Sequence, residues 1–522
     1  MGDRSGFFPI GPRYPAGDMA STPPPPSTPG PPLEYEEDDL TLRLQSRVER
    51  RRTRKRWYVH PLLVIGAVTA IAGGLRFYHL SAPHEYVFDE VYYAKDGCLD
   101  AGFNYKSCKL EAPQEQTITV HPPLGRWIIA GGEAAFGNRP FGWRFSSAVA
   151  GTLSVTLLAW LAYAVFRSVL WAGVAGLLLA AENLNFVQSR ISMLDIFVAT
   201  FAVAGFLFLV LDRRWIERRT PPPPPPADLA DESLLLHLPP DRPPSPVFRP
   251  WRVATGLAFG AALATKWSGG TALLGGLILA LAWERTRRRG LGFSRPLWEA
   301  VRDEGFGIFA FLVILPLAVY VASYGRWFVD HGADIAGWAR LQKDMAEYSI
   351  HLRATHPYAS PAWSWVLMKR PVAYYYTCTR MKGPNCAAPA EILGVGNPII
   401  FWATVFTLPY AVFAWIRRRD WRAGLIVVSI GIQYFPWFFA ARTNFLFYMT
   451  PVTPFMVLAA VYALRDLSDA RIGEEKARAL APVAAVVVVI AVGVFAFFLP
   501  VLTGRAISYT AWKARIWFPS WI

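Results

Sequence analysis

Apolar runs long enough to cross a bilayer recur along this chain, and they restrict its fold more severely than any other property of the sequence. A crossing helix needs roughly 20 apolar residues. About eleven segments qualify, near 61–79, 143–165, 169–187, 192–211, 252–266, 268–284, 305–324, 397–416, 424–440, 446–464 and 481–502. Of the 522 residues, 53% are hydrophobic, which suits a polytopic membrane protein and not a soluble one of this length.

A formal net charge of +15 would by itself admit a nucleic-acid partner. The distribution of that charge argues for no nucleic acid. Arginines gather in 47-RVERRRTRKR-56, 213-RRWIERR-219, 284-ERTRRRG-290 and 417-RRRDWR-422, and such clusters mark cytoplasmic loops under the positive-inside rule. With the N-terminus inside and eleven spans alternating, all four fall in the cytoplasm, as does 465-RDLSDARIGEEKAR-478. The expected layout has a disordered Pro/Arg-rich cytoplasmic tail over 1–60, without a cleavable signal peptide. A transmembrane core over 61–502 follows, then an external C-terminal tail over 503–522. A second proline-rich insertion, opening at Thr220, makes the cytoplasmic loop 212–250 a flexible one.

All four cysteines then lie outside, where disulfides persist. The expected bridges are Cys98–Cys108 and Cys378–Cys386, each closing a short loop, with free thiols as the alternative.

Two external segments, about 81–138 and 325–396, carry the unusual residues. In 86-YVFDEVYYAKD-96, Asp89 and Glu90 sit in an aromatic setting just past the first apolar run. Neighbours on a helix point about 100° apart, so one carboxylate can face a reacting group while the other holds a ligand or a basic partner. Tyr86, Phe88, Tyr92 and Tyr93 exclude water, which lifts a carboxylate toward the range of a general base. A pair of solvated loop acids is the bland alternative. Further on, 121-HPPLGRWIIAGG-132 opens with prolines suited to a first helical turn, and an amphipathic surface helix is expected over 121–137.

Ionisable residues at span ends add to this, because the bilayer makes them costly. Arg144, Glu182, Arg190, Asp195, Lys266 and Arg442 all fall at the external face. Arg190 is a natural partner for Asp195, whereas Lys266 and Arg442 lack an obvious local acid. Two unpaired cations at a membrane surface suit an anionic lipid headgroup. The sequence holds no Gly-rich phosphate loop and no cluster with metal-ligand spacing, so neither a metal nor another cofactor is expected. The chemistry that fits is a carboxylate base activating a hydroxyl for attack on an anomeric carbon, with cations stabilising a departing lipid phosphate.

The segments FDEVYYAKD at 88–96, HPPLGRW at 121–127, WRFSSAVAGTL at 143–153 and ENLNFVQSRISMLD at 182–195 occur in that order. They are followed by ATKWSG at 264–269, HPYASPAWSWVLMKRPVAYYY at 356–376, GNP at 396–398 and RTNFLFYMTPVTPF at 442–455. Through this set the chain resembles the protein O-mannosyltransferases, specifically their actinobacterial members. The resemblance implies an all-α polytopic C-type glycosyltransferase fold of eleven spans, with the active site on the non-cytoplasmic side of the cell membrane. It implies inverting transfer of mannose from polyprenyl-phosphate mannose, a co-substrate and not a cofactor, to Ser or Thr of exported polypeptides. Asp89 would be the base and Glu90 an acceptor-side residue. Lipid-phosphate and sugar contacts would fall on Lys266, Arg442 and Arg144, with His121, Arg126 and His356 nearby. Besides membrane lipid, a secretion translocon is a further expected partner, since unfolded chains expose their hydroxyls.

Two departures stand out. The second external loop is too short for the β-trefoil insert of eukaryotic members, and the family's HPPLGK reads HPPLGR here, with Arg126 keeping the cation. The competing readings are a related lipid-dependent transferase acting on an envelope glycolipid, and a transporter or flippase. A transporter would place its charges near the bilayer midplane with repeat symmetry, and neither is visible.

Overall fold

In the computed structural model of the protein, the described residues are 60–111, 120–220, 245–382, 385–468 and 474–522, the side chains of 474–481 excepted. Expectations for the N-terminal tail, the proline-rich stretch 221–244 and the turn 469–473 lie outside them.

Each of the eleven apolar segments falls on helix. In chain order the helices are α1 (Pro61–Phe77), the short α2 (Glu90–Asp100) and α3 (Leu124–Phe136), then α4 (Pro140–Phe166), α5 (Val169–Ala180) and α6 (Asn183–Gln188). The middle of the chain forms α7 (Leu194–Glu217), α8 (Pro250–Thr265), α9 (Gly269–Gly290) and α10 (Pro296–Ala322). After α11 (Gly325–His331) and α12 (Ile335–His351) come α13 (Pro398–Arg418), α14 (Trp421–Tyr434), α15 (Thr453–Ser468), α16 (Glu474–Leu502) and α17 (Tyr509–Lys513). Among the described residues, α4, α7, α10, α13 and the Pro482–Leu502 part of α16 are long and apolar enough to cross a membrane, and α1 and α5 are shorter apolar helices. The protein is a multi-pass membrane protein.

Local sequence explains where these helices start. Proline occupies the first turn of α1, α4, α8, α10 and α13, where its missing N–H costs nothing. Side chains of Ser168, Asn397 and Asp420 cap α5, α13 and α14. Helix α7 is the most buried of the long helices and packs on α4 and α8. The Phe259 ring of α8 fills the space a Cβ would take at Gly205 of α7 and Gly276 of α9, so only glycine lets the three helices approach so closely.

Charge collects at both ends of α7, separated by its apolar middle. Asp195 lies in the first turn and Asp212 in the last turns, about 25 Å apart at the rise of an α-helix. At the Asp212 end Arg249 bonds Asp212, Glu284 and Glu304, while Arg252 bonds Glu304, all buried. Arg287 and Arg288 of the 284–290 cluster pair with Glu284. The Asp195 end belongs to the site described below.

The segment after α12 is not helical. Strands β1 (Val372–Cys378) and β4 (Pro389–Gly394) form an antiparallel hairpin with a bulge between Ala373 and Tyr375, and β2 (Met381–Lys382) pairs with β3 (Asn385–Cys386) near its tip. Cys378 and Cys386 are bonded across that tip, and Cys98 is bonded to Cys108 after α2. The hairpin was not foreseen from the sequence, although 372-VAYYYTC-378 is rich in the aromatic residues strands favour. Residues 503–522 are no loose tail. Gly504, Ile507 and Tyr509 donate backbone N–H groups to Glu391, Pro389 and Ala387 of the hairpin. Trp512 Nε1 bonds the Glu391 carboxylate at 2.6 Å and Trp521 Nε1 bonds the Met368 carbonyl at 2.7 Å. Burial of these two indoles folds the segment against the hairpin and the turn before it.

Candidate active site

Asp89 occupies the N-cap position of α2, yet its carboxylate caps no backbone N–H and is left facing a cavity of about 510 Å³. Phe88, just before it, holds a left-handed backbone with φ of 51°. A bulky residue in that region is strained, and such strain persists only where surrounding packing enforces it. The Phe88 ring is edge-on to Tyr374, Phe447 and His356, which fixes the direction in which the next side chain leaves. Burial pushes the Asp89 carboxyl up to about 6, with nearby Lys266 opposing the rise and Asp195 adding to it.

Glu90 points the other way. It is fully buried and accepts five hydrogen bonds: from Val87 N, Ser192 N, Trp143 Nε1, and Arg144 Nε and Nη2. Arg144 spends its remaining donors on the carbonyls of Leu80, Pro83 and Glu85. Neither side chain lines the cavity. The structure thus does not bring Glu90, expected on the acceptor side, or Arg144, expected at the phosphate, into the cavity; it pairs them with each other. Together they staple the loop carrying Asp89 onto α4 and the turn before α7. A charge buried this deeply must be paired, and the pair leaves no valence for a substrate.

Lys266 also departs from expectation. It lies between α8 and α9, where the chain leaves helical geometry, and its Nζ is 2.9 and 3.0 Å from the two oxygens of Asp195. It is not an unpaired cation, and its ammonium also faces the Tyr448 ring at 4.7 Å. The expected Arg190–Asp195 pair does not form. Arg190 instead donates to the carbonyls of Leu75, Arg76, Tyr78 and His79, closing the C-terminal end of α1. Arg126 lines the cavity but is held by Asp96 at 3.3 Å and Asp100 at 3.9 Å. It ties α2 to α3.

Arg442 remains available. Its Nη2 reaches Tyr448 Oη only at 3.4 Å, and its buried Nε has no hydrogen-bond partner among the described residues. His121 and His356 line the same cavity. Burial, then Lys266, Arg442 and Arg126, hold His121 well below its ordinary value, so it is neutral. His356 Nδ1 accepts the Tyr358 N–H at 3.2 Å, which leaves the proton on Nε2. A second recess of about 220 Å³ shares His121, Lys266 and Arg442 with the cavity and runs between Trp267, Pro436 and Trp437. Phe435, Phe438 and Phe439, just beyond it, are exposed.

The structure thus brings Asp89, His121, Arg126, Lys266, His356 and Arg442 to one cavity and removes Glu90 and Arg144 from it. Sequence reasoning missed Tyr93 and Tyr448 of the wall, and Asp195, which lies behind it as the partner of Lys266. The signal for Asp195 was an acid in the first turn of a 24-residue apolar helix; its local cation, Arg190, drew attention from Lys266, 71 positions away.

Two family profiles match the sequence: the dolichyl-phosphate-mannose-protein mannosyltransferase profile over residues 112–220, and the C-terminal four-span region of protein-O-mannosyltransferase over 335–521. The polyprenol-phosphate-mannose–protein mannosyltransferase of Mycolicibacterium smegmatis is 32% identical over 488 residues, 87% of this chain and 92% of that one. The protein of the same name from Mycobacterium tuberculosis is 31% identical over 496 residues, covering 88% and 91%. Among solved structures, the Saccharomyces cerevisiae Pmt1–Pmt2 complex bound to the sugar donor matches with a TM-score of 0.70 at 14% identity, over 91% of this chain and 94% of that chain. ArnT of Cupriavidus metallidurans bound to undecaprenyl phosphate gives 0.51 at 17% identity, over 85% and 77%. These likenesses give the chain a C-type membrane glycosyltransferase fold. With identity above 30% across nearly the whole of its mycobacterial relatives, the chain belongs to the protein O-mannosyltransferase family.

Proposed function

We propose that the protein transfers mannose from polyprenyl-phosphate mannose to Ser and Thr hydroxyls of exported polypeptides, with inversion, on the outer face of the cell membrane. The observation that carries this reading is one cavity holding both a free carboxylate, Asp89, and a guanidinium with an unused donor, Arg442. Family membership supplies the sugar, its lipid carrier and the protein acceptor.

In this reading the Asp89 carboxylate takes the proton of the acceptor hydroxyl as its oxygen bonds the anomeric carbon. The bond from that carbon to the phosphate oxygen breaks, and polyprenyl phosphate leaves with the electron pair. One displacement from the face opposite the phosphate inverts the centre. Arg442 meets the charge growing on the leaving phosphate, a stabilisation stronger in the transition state than in the bound donor. Neutral His121 and the Nε2–H of His356 add donors for sugar or phosphate oxygens. The recess past Trp267 and Trp437 would take the first isoprene units, and the exposed phenylalanines beyond it would meet lipid. The side-chain cations carry the charge a metal could otherwise supply, so transfer should survive a chelator.

Eleven spans, a cytoplasmic N-terminus and an external C-terminus complete the reading, and put the cavity where a secretion translocon delivers unfolded acceptors. Purified protein incubated with radiolabelled polyprenyl-phosphate mannose and a Ser/Thr-rich peptide should label the peptide. Label appearing in a glycolipid acceptor instead would overturn the protein-directed reading.

A further inference from the structure

Behind the cavity wall, in contact with Lys266 of the lining, lies another acid. Asp195 is 2% exposed, sits in the first turn of α7, and grips Lys266 Nζ with both oxygens. We infer that Asp195 is a positioning residue whose task is to pin the Lys266 ammonium beside Asp89 as a fixed internal counter-cation. This rests on the functional reading above.

The physical argument begins with the acids. Two carboxylates close to one another in a partly dry region, one lining the cavity and one behind its wall, tend to share a proton, because neither can be charged without raising the energy of the other. A base must be ionised to work. Lys266 resolves the conflict only if it is held in place, since a lysine stem is long and flexible and its ammonium strongly hydrated. Bidentate contact with Asp195 fixes the head group, and the Tyr448 ring at 4.7 Å bounds its other side. Two of the three ammonium donors are used, so one remains for the cavity.

The other ionisable groups around Asp89 leave this task to the pair. Burial raises Tyr93, on the same helix, and Tyr374 of β1 well above their ordinary range, so both stay neutral. His121 is neutral because burial and three cations hold it low. His356 accepts a backbone N–H at Nδ1, Asp96 is engaged by Arg126, and Arg442 keeps a permanent charge. Lys266 and Asp195 are the charged groups that act most strongly on Asp89 after burial itself, and they act in opposite directions.

The test compares Lys266→Met, Asp195→Asn and the double variant, with Asp195→Glu as the conservative control. Two readouts are used: the acid limb of the pH profile of kcat/KM, and the infrared band of the protonated Asp89 carboxyl, obtained by subtracting the spectrum of Asp89→Asn. Lys266→Met should move the Asp89 midpoint up by about 1–3 pH units, the usual effect of losing an adjacent cation. Asp195→Asn, whose amide oxygen still accepts from the ammonium and so keeps it in place while the charge is lost, should move it down, the double variant should return near the wild type, and Asp195→Glu should shift it little. Midpoints that stay fixed in both single variants, or move in the same direction, overturn the inference, because loss of structural support alone gives no opposed shifts. The infrared midpoint needs no turnover, so it judges the charge pair even if wild-type protein labels no peptide, an outcome that would overturn the functional reading alone.

Discussion

Glu90 and Arg144 meet through two hydrogen bonds of 2.8 Å, Arg144 Nε to Oε1 and Nη2 to Oε2, and neither side chain is exposed. One residue earlier, Asp89 faces the cavity. Adjacent acids thus have separate tasks, because the turn into α2 sends their side chains in different directions. Removing one partner of a buried pair strands the other, at a cost of roughly 3–5 kcal/mol. Arg144→Met should therefore lower the thermal midpoint of detergent-solubilised protein sharply, and adding Glu90→Gln should restore part of it. Single variants as stable as the wild type would show that the staple contributes nothing.

Asp89 is the position where the chemistry should fail without loss of the fold. Asp89→Asn should reduce kcat by about 10²–10⁴-fold, the usual contribution of a general base, with helical content and thermal midpoint unchanged. In the wild type, kcat/KM should be full above the Asp89 midpoint near pH 6 and fall as the pH drops through it, since protonation removes the base. An acid limb that persists in the Asn variant would assign it to another group.

For Arg442 the expected defect is in donor use. Arg442→Ala should lower kcat/KM for polyprenyl-phosphate mannose by about 10–100-fold, the worth of a charge-assisted hydrogen bond, mostly through kcat, and leave the KM for acceptor peptide nearly unchanged. Arg442→Lys should recover only part, because an ammonium cannot reproduce the planar fork. Equal effects on both substrates would place Arg442 away from the phosphate.

Glu133 offers a stability test outside the cavity. This acid of α3 is fully buried, and neither carboxylate oxygen has a hydrogen-bond partner among the described residues. Burial, with Asp100 and Glu90 adding, pushes it from its ordinary 4.5 up to about 8. The folded state therefore binds a proton that the unfolded chain releases, and stability should decline as the pH rises from about 4.5 to about 8. Glu133→Gln should raise the thermal midpoint by a few degrees at pH 8.5 and converge with the wild type near pH 5. A constant offset across that range would refute the buried-acid account.

The helices were legible because they depend on local composition. Each apolar run is long enough to satisfy its own backbone. The cysteines paired across 10 and 8 residues, distances at which few alternatives exist. The hairpin at 372–394 escaped notice because it is stabilised by cross-strand contacts and by Trp512, more than 110 positions away.

The sequence by itself determined a multi-pass helical protein with an acid doublet and scattered cations near the ends of its apolar runs. It could not say which of those charges are spent. Tertiary structure decided that, joining Glu90 to Arg144 across 54 positions and Asp195 to Lys266 across 71, and leaving Asp89 and Arg442 for the cavity. The reason is physical: in a low-dielectric interior a charge takes the partner that packing brings within hydrogen-bond reach, and sequence proximity has no part in that choice.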